Sequence, residues 1–220
     1  MYSPVAASNP RAPPCHQRLT LPPGPRVVDP IAEPASCRSQ WEQHAGPVDV
    51  KMCRPSFIPN HVKMASSGKP AEKLAAARVL TILTSEDAAT LDVSKSRMEI
   101  VNAGGHEALL GMISAIPVEA STEEDTSITL AREAAAATLA NLCAQDDSRA
   151  AVMGKDAIPT LVELIGREVS EELLKYACGA LGNLARESPE NQEAIASAGG
   201  LQRLIGLARL TGIRTHGSSG

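Results

Sequence analysis

A three-part helical pattern recurs along the second half of the chain, and it limits the fold more than any single motif does. In LLKYACGALGNLARE, Leu173, Ala177, Ala180, Leu181 and Leu184 fall on one stripe at the three- and four-residue steps of a helix. Ser188 then stands where an N-cap belongs, and Pro189 occupies the first helical position, where a missing N–H is harmless. PENQEAIASA makes a short helix ended by Gly199-Gly200, and LQRLIGLA begins a medium one.

The same long, short and medium order appears upstream. Residues 70–84 (PAEKLAAARVLTILT) and 128–145 (ITLAREAAAATLANLCAQ) are long helices; SRMEIVNA and RAAVMG are short ones, the latter capped by Asp146-Asp147-Ser148. HEALLGMISAI and PTLVELIG are medium ones. Two anchors set the register: Leu80, Leu139 and Leu181 in the long helices, and Gly104, Asp156 and Gly199 at the short-to-medium break. The later spacings are 42 and 43 residues and the earlier ones 59 and 52. The excess falls in the polar connectors around 85–96 and 115–127, where stacked repeats accept insertions. The second connector carries the run Glu123-Glu124-Asp125, which reads as a solvated charge cluster.

The pattern GKDAIPTLVELI followed by ELLKYACGALGNLARESPENQEAIASAGGLQRLI resembles the armadillo repeat over residues 70–210, most clearly in the two C-terminal units. The resemblance implies an all-α fold, a right-handed α-solenoid of about three repeats with the first and last incomplete. It also implies a concave groove, lined by the long helices, that takes an extended peptide or a partner domain. The final unit reads as a short and medium pair without a long helix; a fragment, a truncated product or half of a dimer would each account for it. The expected organisation is a disordered Pro-rich leader over 1–69, a repeat domain over 70–210 and a flexible tail over 211–220.

The leader rests on composition. Residues 1–63 hold twelve of the 16 prolines and seven basic against four acidic side chains, net +3, while the whole chain carries −4. Its first 28 residues have no acid and three arginines, a faint likeness to a transit peptide for which a solvated tail is the preferred reading. Met64 followed by ASSGKP reads as an ordinary protein start, so residues 1–63 are open to being a mispredicted leader.

Four residues are the candidates for the groove. Asn141 and Asn183 occupy one register position in LANL and LGNL, and an amide offers both a donor and an acceptor to a peptide backbone. Tyr176 and Arg186 lie seven residues before and three after Asn183. In the nuclear-import receptors of the armadillo family a Trp four residues before this Asn completes the pocket; here Ala137 and Gly179 stand there, and Ile82 replaces the Asn in the first unit. That departure counts against a nuclear-localisation reading.

Other chemistry is argued against. The Gly-Gly pairs follow no strand and lack a P-loop Lys-Ser/Thr. Five histidines show no metal spacing, and five cysteines are neither paired by spacing nor placed outside apolar stripes in the repeat region. No metal, no cofactor and no small-molecule substrate are expected, and the acidic balance argues against nucleic acid. No apolar run is long enough to span a membrane. The expected role is a non-enzymatic protein-binding scaffold in the cytoplasm or nucleus. The alternatives are the substrate-recognition part of an armadillo-type ubiquitin ligase, or a nuclear-import cargo adaptor.

Overall fold

A computed structural model describes residues 48, 50–86, 92–115, 123–152, 157–167 and 169–216. Among the described residues, ten α-helices follow two 3-10 turns, Val50–Met52 and Pro55–Phe57. They are α1 (Ile58–Ser67), α2 (Pro70–Thr84), α3 (Val93–Asn102), α4 (Gly105–Ser114), α5 (Glu123–Ala144), α6 (Asp146–Val152), α7 (Ala157–Leu164), α8 (Glu171–Ala185), α9 (Pro189–Ser197) and α10 (Gly200–His216). There is no strand among the described residues.

Local chemistry starts the helices where the sequence signals them. Asp92 accepts a hydrogen bond from the Lys95 amide, Ser170 from Leu173 and Ser188 from Asn191. Glu72 accepts one from the amide of Lys69, just ahead of Pro70. Each Gly-Gly pair has two separate duties. The first glycine, Gly104 or Gly199, adopts φ of 76° or 79°, a region that side chains disfavour. The second lies against the preceding short helix: a Cβ on Gly105 would sit 2.5 Å from Ile100 Cγ2, and one on Gly200 2.7 Å from Ile195 Cγ2.

The helices stack by class. The long helices α2, α5 and α8 form one layer with α5 in the middle, and α1 packs on both α2 and α4. Residues 131–140 of α5 are all buried between their neighbours. Six of those ten are Ala (131, 134, 135, 136, 137 and 140), so the backbones approach closely. The Thr81 hydroxyl bridges the two long helices, 2.9 Å from Thr138 Oγ1 and 3.1 Å from the Ala134 carbonyl.

Two expected boundaries change. The 1–69 leader is too long, because Ile58–Ser67 is a helix that buries Ile58, His61, Val62 and Ala65. It continues through Met64, so residues upstream of that methionine belong to the core. Prolines obscured it: Pro55 and Pro59 sit in the first turns of the 3-10 and α-helical segments, where proline is tolerated. The 211–220 tail is also too long, since α10 runs to His216. The disorder expected of residues 1–47 lies outside the described residues.

The missed helix has a signature. IPNHVKMA matches IPTLVELI of α7 position for position, placing Ile58 with Ile158 and Val62 with Val162. His61 then falls where α4 and α7 have the fully buried Leu109 and Leu161.

Candidate peptide-binding face

One register position runs along the long-helix layer through Ile82, Asn141 and Asn183. Ile82 is exposed, and the two asparagines are half-buried. Both asparagines reach back to the preceding unit. Asn183 Nδ2 donates to the Ala140 carbonyl at 3.0 Å, and Asn141 Nδ2 donates to Thr84 Oγ1 at 3.2 Å. Arg186 adds a third tie, from Nη2 to the Ala144 carbonyl at 2.5 Å. These residues therefore join successive long helices while a part of each remains at the surface.

Tyr176 does not share that surface. It is 2% exposed and packs within the core, so its expected role as a contact residue is corrected by its burial. Its register partners are Ala75 and Ala134, and in an Ala-rich layer the one large ring is drawn inward to fill space. Lys175 lies over the ring at 5.3 Å and meets Glu172 at 3.2 Å. At the position four residues before each lane residue, Arg78 and Ala137 are buried and Gly179 is half-buried. One turn of each long helix is thus low and flat beside the lane. Gly182 adds to this: it is exposed, and a Cβ built there meets nothing within 4 Å.

The short helices hold the ends of the long ones, by a rule that long-helix periodicity alone does not reveal. Eight residues before each break stand Ser96, Ser148 and Asn191; the next residues are Arg97, Arg149 and Gln192. Ser148 Oγ donates to the Leu142 carbonyl at 2.5 Å and Asn191 Nδ2 to Leu184 at 2.7 Å, two equivalent acceptors. Arg97 donates to the Thr84 carbonyl through Nε (3.2 Å) and Nη2 (2.8 Å), and Gln192 to the equivalent Ala185 at 2.9 Å. Each long helix so has its last carbonyls satisfied by the next unit. Repetition of polar residues at one offset from the Gly anchors was the signal.

A buried charge cluster sits beside the entry to α8. Glu133 accepts a 2.5 Å hydrogen bond from Ser170 Oγ, the N-cap of that helix. Burial holds its carboxyl above the usual carboxylate range; the Ser170 bond and Arg132 oppose the shift, and Glu172 adds to it. Arg132 donates through Nε to the Ile113 carbonyl at 3.1 Å, and its burial lowers its pKa. Burial also pushes the Cys143 thiol up to about 12, which leaves it protonated and inert. No grouping of three or more potential metal ligands occurs among the described residues.

Successive units of short, medium and long helix, stacked through their long helices, define an α-helical solenoid. Residues 145–186, which cover α6, α7 and α8, match the Armadillo/beta-catenin-like repeat. Over that stretch the chain carries an armadillo-type repeat. It is similar in fold to an engineered protein, with TM-score 0.56 and 20% identity over 80% of this chain and 68% of that one. It is also similar to a designed armadillo repeat protein solved in complex with the peptide (KR)4, with TM-score 0.54 and 19% identity over 78% and 66% of the two chains. No curated protein sequence matches it at a significant level. No helix among the described residues is long and apolar enough to cross a membrane.

Proposed function

We propose that the chain is a non-enzymatic scaffold that binds an extended segment of a partner protein along the face of α2, α5 and α8. The lane of Ile82, Asn141 and Asn183 carries this reading: its two amides are half-exposed and point from successive repeats. Each donates one N–H to the preceding unit, leaving a second N–H and Oδ1 for a ligand's backbone. The flat ground at Ala137, Gly179 and Gly182 lets a main chain approach. Arg186, at the end of α8, is the remaining contact residue of the face.

Support from outside the chain is the designed neighbour, which was solved with a bound peptide. We do not transfer the positive charge of that peptide, because arginine and small residues, Arg78, Ala137 and Gly179, stand beside this lane. A cytoplasmic or nuclear location suits Cys53, Cys143 and Cys178, which are not disulfide-bonded among the described residues. Neither nucleic acid nor a small-molecule substrate enters this reading, and the net charge of −4 does not favour the former.

Panning the full chain against a displayed peptide library tests the proposal. Enriched peptides should compete with one another and lose affinity when the lane is altered. Peptides that bind equally well after Asn141→Ala with Asn183→Ala would place the site elsewhere.

A further inference from the structure

The medium helices repeat one packing face. Two positions on it are Ile58 and Val62 in α1, which are 1% and 7% exposed, and Ile158 and Val162 in α7, at 7% and 2%. Val162 lies against the start of α10: a Cβ on Gly200 would be 3.2 Å from its Cγ2. In α4 the same positions are His106 and Leu110, both half-buried. In α10 they are Leu201 and Ile205, each 53% exposed. The face that buries its side chains in α1 and α7, and half-buries them in α4, therefore lies open on α10, and in α7 it is the face that meets the start of the next unit's medium helix.

The charges around it complement themselves. PENQEAIAS, the sequence of α9, has two acids and no base, and Glu190 and Glu193 are both exposed. GLQRLIGLARLTGIRTH, the sequence of α10, has three arginines and no acid, and Arg203 and Arg209 are exposed. We propose that the α9–α10 surface is an isologous interface for a second copy of this chain. Leu201 and Ile205 of each copy meet near the two-fold axis, and the acidic α9 of one faces the basic α10 of the other. A head-to-tail arrangement is disfavoured on charge, because the α1 end presents Arg54 and Lys63, both exposed, to the arginines of α10.

Sedimentation equilibrium of the full chain tests this. The weight-average mass should rise from 23.0 kDa toward twice that value with concentration and stop there. Raised salt should shift the rise to higher concentration. Leu201→Glu with Ile205→Glu should weaken association by at least ~10-fold at unchanged helix content. Arg209→Glu, on an exposed site away from the core, should weaken it independently. A chain that stays monomeric throughout would overturn the proposal. So would growth beyond a dimer, or a dimer indifferent to these substitutions.

Discussion

His61→Leu should stabilise the protein. His61 is 2% exposed at a position that carries fully buried leucine in the next two units, Leu109 and Leu161. Its ring keeps one hydrogen bond, between Nε2 and the Met52 carbonyl at 3.2 Å, while Nδ1 is buried without a partner among the described residues. An unsatisfied buried polar atom costs about 1–3 kcal/mol, and the bond to be lost is worth about 0.5–1.5 kcal/mol. Refilling the site with a side chain of similar size costs under about 1.5 kcal/mol, and full burial of a leucine contributes about 1.5–3 kcal/mol. At mid-range these terms sum to about 2.5 kcal/mol in favour of leucine, and subtracting the apolar burial already contributed by the imidazole carbons leaves a gain of about 1–2 kcal/mol, or a rise in Tm of about 3–6 °C for a chain of this size. Thermal unfolding followed by circular dichroism reads it directly. Leu161→His, the reciprocal change in α7, should lower Tm by more than His61→Leu raises it, because it removes a fully buried leucine and buries a polar ring in its place. A drop in Tm for His61→Leu would refute the reasoning. It would mean that the tie to Met52 outweighs the repeat register in positioning α1.

Three further substitutions probe the other arrangements. Burial raises the pKa of Glu133, so the folded state holds its proton more tightly than the unfolded chain does. Ionised Glu133 therefore destabilises above its raised pKa, and this is relieved as pH falls toward the ordinary carboxylate value. Glu133→Gln, which can still accept from Ser170, should raise Tm at neutral and alkaline pH and shrink the difference between mildly acidic and alkaline buffers. Gly182→Ala should stabilise by about 0.5–1 kcal/mol, since Gly182 is exposed within a helix with open space around it; if a ligand's main chain approaches there, affinity should fall while Tm rises. Arg97→Ala removes both bonds to the Thr84 carbonyl from a 5% exposed side chain and should cost about 1.5–3 kcal/mol in denaturant unfolding.

Much of the fold is legible in the sequence because its helices are regular and its breaks are chemically marked. Pro70 and Thr84 bound α2 as the sequence suggests, and Ser188-Pro189 begins α9. The Gly-Gly breaks fall where the chain turns, with the positive φ on Gly104 and Gly199. Prolines hid α1, since composition weighs them as breakers while Pro59 stands in a first helical turn. Comparison of IPNHVKMA with IPTLVELI would have recovered it. The site was legible in register and not in orientation. Asn141 and Asn183 share a lane, yet periodicity does not reveal that each bonds to the unit before it. Tyr176 lies three residues after Leu173 and four before Ala180, beside the apolar stripe, and as the one aromatic of the repeat region it suggested a surface role that packing denied. The role of Ser148, Asn191 and Gln192 in closing the long helices depends on contacts between units, which helix periodicity does not encode and only the recurrence of polar residues at one distance from each break betrays.

Isothermal titration of a selected peptide against the intact chain and its Asn141→Ala, Asn183→Ala form tests the lane most directly. The lost ties to Ala140 and Thr84 are worth about 1 kcal/mol each, partly offset by the better helix propensity of alanine, so the variant should stay folded. Peptide affinity should then fall by at least ~10-fold, or about 1.4 kcal/mol, at a temperature well below the variant's Tm. Unchanged affinity in a folded variant would contradict the account.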